Sequence, residues 1–170
     1  MNKGILKNFL PNYQFNKLTD INSDFFLESQ LIIFDVDNTL VFSETAETKK
    51  EVLDWFNGIN SRYKCVCLSN SRTIFRRERQ ISKLLNCDVF LSRYKKPFKK
   101  LFEEIKTKYN LENGKIFVVG DRLFTDILFG NLNGAVTVLI KPLSNKENIL
   151  IKFVRKIENL ILFLVNLRYT

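Results

Sequence analysis

The sequence predicts an α/β fold: a three-layer α/β/α sandwich on a doubly wound, mainly parallel sheet of five strands. Three observations predict it. Short apolar runs of strand length alternate with longer stretches of helical period, the rhythm of β-α-β units. The runs are apolar at consecutive positions, as strands covered on both faces must be. Loop signals, Asn60-Ser61, Asn113-Gly114 and Asn133-Gly134, fall between the two kinds of segment.

Taken in order, the first strand is Leu31 to Phe34, a continuous run of Leu, Ile, Ile and Phe. A helix follows over about Glu47 to Ile59, then a strand over Lys64 to Leu68 that contains Cys65-Val66-Cys67. The next pair is a helix over Thr73 to Leu85 and a strand over Asp88 to Leu91. Pro97, suited to a first helical position, opens a helix to Tyr109. Ile116 to Val119 is the fourth strand, Phe124 to Leu132 a helix, and Val136 to Ile140 the fifth strand, ended by Pro142. Ser144 and Glu147 read as a capping box. Leu150, Phe153, Val154, Ile157, Leu160, Ile161 and Leu164 follow at helical spacing, with Lys152, Arg155 and Lys156 on the polar side.

Residues 1–170 are expected to form one domain, with an N-terminal arm over 1–30, a core over 31–141 and a C-terminal amphipathic helix over 144–170. Ile5, Leu6, Phe9 and Leu10 share a face near Lys3 and Lys7. The two ends either pack on the domain or rest on anionic lipid. The start does not fit a signal peptide, and the longest apolar run, Leu160 to Val165, is far below the ~20 residues of a membrane span.

Composition narrows the chemistry. The chain has 45% hydrophobic residues, enough for one real core, and no His, so acid and base work falls to carboxylates, Lys, Tyr or Cys. Three Cys are too few and wrongly spaced for a zinc site, and read as buried strand residues of a reduced, intracellular protein. The net charge is +9, and Arg62 to Lys108 carries 14 Lys or Arg against 4 Asp or Glu. That segment is either a solvated helix face or an anion-facing surface.

The chemistry gathers at strand exits, where open α/β sheets bind ligands. Asp35-Val36-Asp37-Asn38-Thr39 leaves the first strand. Two carboxylates two residues apart point the same way, so one can attack while the other moves protons. Ser69 and Asn70 leave the second strand, where a hydroxyl and helix-opening amides can hold an oxyanion. Lys95-Lys96-Pro97 follows the third, and Gly120-Asp121 the fourth, with Asp126 five residues further on. Carboxylates without a His or Cys cluster suit a hard cation, Mg²⁺ first.

These residues resemble the motifs of the haloacid dehalogenase-like (HAD) phosphohydrolase superfamily. The D-x-D-x-T motif is matched by Asp35, Asp37 and Thr39, the Ser/Thr motif by Ser69, the Lys motif by Lys96 and the acidic motif by Asp121 with Asp126. More narrowly the chain resembles the YqeG-type group of subclass IIIA through Phe9-Leu10-Pro11, Lys96-Pro97, Gly120 to Leu128 and Gly130-Asn131. That group is similar to the phosphatidylglycerophosphate phosphatases of mitochondria and plastids. Ser71 stands where a second Asn is expected, and Arg122 where Gln is frequent.

The resemblance implies a HAD-like Rossmannoid core and a phosphomonoester hydrolase. In it Asp35 is the nucleophile and Asp37 the general acid and base. Mg²⁺ is held by Asp35, the Asp37 carbonyl and Asp121, while Ser69 and Lys96 hold phosphoryl oxygens. Thr39, Asn70 and Asp126 support, and Arg122 touches substrate. Only 31 residues separate Asp37 from Ser69, and 26 separate Ser69 from Lys96, too few for a cap domain. An open site suits a large substrate. A lipid head group on an anionic membrane, met from the cytoplasmic side, is the first expectation. Nucleic-acid ends or phosphoproteins are the alternative, and a non-catalytic binding protein on the same fold is the third. The basic segment lacks the interleaved aromatics of a nucleic-acid platform.

Overall fold

The computed structural model describes residues 6–112, 114–144 and 149–169, and for residues 150 and 165–169 the backbone only. The features expected of Lys3, Ile5, Asn113 and Glu147 lie outside the described residues.

Five strands form one sheet: β1 (Tyr13–Phe15), β2 (Ser29–Asp35), β3 (Cys65–Leu68), β4 (Lys115–Gly120) and β5 (Val136–Ile140). Their order is β1-β5-β4-β2-β3, and every pairing is parallel. Helices α1 (Lys50–Asn60), α2 (Ile74–Leu85), α3 (Lys99–Tyr109), α4 (Leu128–Leu132) and α5 (Ile149–Tyr169) complete the fold, with a π-helical turn over Leu123–Ile127 leading into α4.

Side-chain alternation sorts the strands between two cores. Ile32, Phe34, Cys65, Cys67, Phe117 and Val119 face α1 and α2, whose Val52, Phe56, Ile59, Ile74, Ile81 and Leu85 are buried against them. Leu31, Ile33, Val66, Leu68, Ile116 and Val118 face α3 and α4, through Leu101, Phe102, Ile105 and Phe129. Both sides of β2 are therefore dry, which is why it reads as an unbroken apolar run. Phe34 is fully buried with its ring edge-on to Phe26, Trp55 and Phe56. Truncating it to Ala costs about 3–5 kcal/mol.

Two elements differ from the sequence expectation. Asp88 to Leu91 forms a single bridge, Cys67 to Val89, with the Cys67 amide donating to the Asp88 carbonyl and the Phe90 amide to the Cys67 carbonyl, both at 2.8 Å. The chain then leaves the sheet, because the Ser92 hydroxyl takes the Tyr94 amide at 2.9 Å in a local turn. The fifth strand is instead β1, inside the segment expected to be an arm. Its residues are largely exposed, so no apolar run marks it. The Asn12 side chain places it by accepting the Thr137 amide at 2.8 Å beside β5. Helix starts also shift: α1 begins at Lys50 rather than Glu47, where the Thr45 hydroxyl accepts the Glu47 amide at 3.1 Å, and α3 begins at Lys99 rather than Pro97.

The C-terminal helix packs by only part of its apolar stripe. Phe153, Leu160 and Leu164 are more than half exposed. Glu158 is buried instead, and Ile161 and Leu162 pack on Leu123, Ile127 and Leu139 beside Phe9. The partners found by Arg155 and Glu158 explain the rotation. The face with charge-assisted bonds to the core turns inward, leaving only Lys152 and Lys156 of the expected basic side in solvent.

Topology fixes the location of the site. From β2 the chain crosses to β3 on one side, then returns to β4 on the other. The crevice between the carboxyl ends of β2 and β4 is thus the switch point of the sheet, where such folds bind ligands. Asp35 ends β2, and Asp121 follows Gly120 at the end of β4.

Candidate active site

An open cavity of about 320 Å³ lies at that crevice, lined by Asp35, Asp37, Ser69, Asn70, Asp121 and Arg122 among others. Beyond β2 the pentapeptide turns back on itself. The Leu40 amide bonds the Val36 carbonyl at 2.9 Å, and Asn38 takes φ 62°, a left-handed conformation that Asn tolerates better than most residues. This turn keeps Asp35 in the strand and lifts Asp37 to the rim.

Lys96 sits at the centre of the inner site. Its ammonium is 2.6 Å from Asp35 Oδ1 and 2.5 Å from Asp126 Oδ1. Asn70 fixes its backbone: the Asn70 side chain accepts the Lys96 amide at 2.8 Å and donates to the Lys96 carbonyl at 2.9 Å. Asp126 reaches in from the π-helical turn, its other oxygen accepting the Arg122 amide at 3.0 Å. Gly120 is required here, since a Cβ would fall on the Asp126 carboxylate.

The inner cluster carries more negative than positive charge. Asp35, Asp121 and Asp126 are all buried, and each offers a carboxylate oxygen within 4.8 Å of the others. Burial holds Asp35 well above the usual carboxylate range, opposed by the Lys96 charge. Burial pushes Asp121 up to about 7, opposed by the guanidinium of Arg155. Burial alone would lower Lys96, but the charges of Asp126 and Asp35 outweigh it and hold it above its ordinary value.

Asp121 Oδ1 is buried without a hydrogen-bond partner among the described residues. Such an atom needs a cation or a proton. With an all-oxygen donor set around it, the cluster fits a hard metal ion.

Asp37 is held differently. Ser69 Oγ donates to its Oδ2 at 2.7 Å, the Glu44 amide to its Oδ1 at 2.8 Å, and Arg77 Nη2 reaches both oxygens at 2.9 and 3.2 Å. The Ser69 hydroxyl hydrogen is thus directed at Asp37. Arg77 also donates to Thr73 Oγ1 at 3.0 Å and to the Thr45 carbonyl at 2.6 Å.

The structure thus brings Asp35, Asp37, Ser69, Asn70, Lys96, Asp121 and Asp126 to one crevice. Thr39 is apart: fully buried, its hydroxyl without a hydrogen-bond partner among the described residues, it lines a separate cavity of about 300 Å³ with Leu18, Val52 and Ile140. Arg122 lines the site cavity, and its Nε lies 3.4 Å from Glu158 Oε2, close enough for charge attraction but without hydrogen-bond alignment. The sequence reading missed Arg77 and Arg155. Arg77 did leave a signal, as a charge within the apolar stripe of Ile74, Ile81 and Leu85. The cysteines are buried free thiols as expected, but only Cys65 and Cys67 lie in a strand, β3; Cys87 sits in the bend after α2.

Comparison with known proteins identifies the family of the chain. The family model described as mitochondrial PGP phosphatase matches residues 5–143. "Probable phosphatase YqeG" of Bacillus subtilis (strain 168) is 30% identical over 159 residues, 92% of this chain and 91% of that protein. "Phosphatidylglycerophosphate phosphatase 1, chloroplastic/mitochondrial" of Arabidopsis thaliana is 42% identical over 57 residues, 33% of this chain and 16% of that protein. No solved structure gives a significant match. With most of the chain covered by one family model and by a phosphatase of nearly equal length, the protein belongs to the mitochondrial PGP phosphatase family and is a phosphatase.

Proposed function

We propose that the protein is a Mg²⁺-dependent phosphomonoesterase that works through an aspartyl phosphate and takes a lipid head group such as phosphatidylglycerophosphate. The observation that carries the mechanism is Asp35 itself. It is a carboxylate at the switch-point crevice with one oxygen held by Lys96 and the other outside every hydrogen bond of the described residues. That free oxygen attacks phosphorus in line, splitting one hard hydrolysis into two easier steps.

Asp37, at the cavity rim, gives a proton to the leaving alkoxide and takes one from the attacking water. Its ion pair with Arg77 is made by the carboxylate, the form that takes the proton from water, and the proton so gained is the one given to the leaving alkoxide of the next ester. Lys96 offsets negative charge as the phosphoryl group nears Asp35, and Ser69 orients Asp37. Asp35, Asp121 and the Asp37 carbonyl would hold Mg²⁺, with Asp126 steadying Lys96. The ion, when bound, screens the approach of one anion to another.

The lipid reading is supported by the open cavity and by α5. Each interval between Asp37 and Ser69, and between Ser69 and Lys96, holds one helix and no further domain. Ile151 and Arg155 of α5 line the cavity, while Ile149, Phe153, Leu160 and Phe163 are exposed along its outer side with Lys152 and Lys156 nearby. Among the described residues no helix is long and apolar enough to cross a membrane. An apolar stripe with lysines at its margin suits an anionic bilayer surface, approached from the cytoplasmic face. The relative named for phosphatidylglycerophosphate supports the same head group.

The test is phosphate release from phosphatidylglycerophosphate in anionic vesicles, with Mg²⁺ and then with chelator, against soluble sugar phosphates and nucleotides. Release from the lipid, lost with chelator and with Asp35→Asn, is expected. Turnover confined to soluble esters would overturn the lipid assignment and leave the mechanism standing.

A further inference from the structure

The C-terminal helix begins after residue 143, where the family match ends, yet it reaches the centre of the site. Arg155 Nη1 donates to the Asp121 backbone carbonyl at 2.9 Å, and Nη2 pairs with Asp121 Oδ2. The carboxylate is thus gripped on one oxygen and at its own main chain. Its other oxygen, Oδ1, is buried with no hydrogen-bond partner among the described residues, and Asp121 offers a carboxylate oxygen within 4.8 Å of oxygens of Asp35 and Asp126. A two-pronged hold on one edge of a carboxylate fixes the direction in which the free oxygen points.

The helix that carries Arg155 is itself docked to the loop that carries Asp121. Glu158, one turn on, accepts the Phe124 amide at 2.9 Å and lies 3.4 Å from Arg122 Nε. Ile161 and Leu162 pack on Leu123 and Ile127 of the π-helical turn. Asp121, Arg122 and the π-helical turn are consecutive in sequence, so α5 braces the whole segment between Asp121 and Asp126.

We infer that Arg155 is a positioning residue, which aims Asp121 Oδ1 into the cation site and makes that site complete only when α5 is docked. This rests on the reading of Asp121 as a Mg²⁺ ligand given above. Loss of the guanidinium leaves a fully buried carboxylate with neither its partner nor its orientation. A group in this position around a metal ligand is worth about ten- to a hundredfold in metal affinity.

The experiment is calorimetric titration of the full chain with Mg²⁺ at fixed pH, with circular dichroism on each variant. Arg155→Met is expected to lower Mg²⁺ affinity at least tenfold with the fold kept, and Arg155→Lys to recover part of it, because an ammonium restores the charge but not both prongs. Glu158→Gln, which loosens the helix without touching Asp121, is expected to give a smaller loss in the same direction. Equal or tighter binding by Arg155→Met would overturn the inference, showing that Arg155 competes with the ion. Should Arg155→Met fail to fold, wild-type affinity in both other variants overturns it as well. Asp121→Asn is the control for the underlying reading. If it binds Mg²⁺ like the wild type, or if the wild type does not bind, the metal assignment of Asp121 falls and this inference with it.

Discussion

The inner and outer halves of the crevice solve the same problem, a carboxylate near phosphate, on opposite physical terms. Asp35, Asp121 and Asp126 are buried against the Lys96 ammonium and the Arg155 guanidinium, three carboxylates to two cations, so negative charge is in excess where the dielectric is low. Asp37 is matched one for one by Arg77 at the cavity rim, where the Asp37 side chain is 17% exposed. The difference teaches which half answers to charge balance and which to geometry. Altering the inner half changes both stability and cation demand, while altering the outer half mainly changes where a proton goes.

The sharpest break of that contrast is Asp35→Asn. Turnover is expected to fall on the order of 10⁴-fold or more, with the far-ultraviolet spectrum unchanged, since the nucleophile is lost but an overcharged pocket is relieved. Next is Lys96→Met, which strands two buried carboxylates; urea unfolding should show a loss of about 3–5 kcal/mol. A loss below about 1 kcal/mol would mean that the inner half is not charge-limited.

The third concerns pH. Asp121 is raised to about 7 when folded, against an ordinary value of 3.8, so the folded state holds a proton that the unfolded state releases. Its contribution to stability is therefore full below pH 4, falls as pH rises to about 7, and is flat above. In metal-free buffer, Asp121→Asn should gain stability relative to the wild type across that window. A constant difference between the two melting curves would contradict the burial argument.

On the outer half, Asp37→Asn is expected to slow turnover by about 10²–10³-fold with little change in melting temperature. Arg77→Met should give the smallest effect, about 2 kcal/mol of stability from lost charge-assisted bonds, measured by denaturant titration. If Arg77→Met destabilised more than Lys96→Met, the outer half rather than the inner would be the one limited by charge balance.

Which features were legible in sequence follows the same divide. Leu31 to Phe34 and Ile116 to Val119 announce themselves as strands because both faces are dry, and Asp35 and Asp121 are then placed by counting. β1 carries no such mark, since pairing with β5 alone makes it a strand. Asp88 to Leu91 has the composition of a strand, but its local turn at Ser92 allows only one bridge. Arg77 and Arg155 act through partners 40 and 34 residues away, and no local period reports such a contact. For α5 the apolar stripe was visible and its direction was not, because Glu158 and Arg155 decide the rotation through groups on another segment.

The all-parallel order of the sheet has a further consequence, in time rather than space. No pair of neighbouring strands can close as a hairpin, so each ladder waits for an intervening crossover. The longest wait falls to β1: Asn12, beside it, meets Thr137 across 125 residues. During synthesis this edge leaves the ribosome early and stays single until β5 appears, so the sheet closes late and folding is slow for a chain of this size.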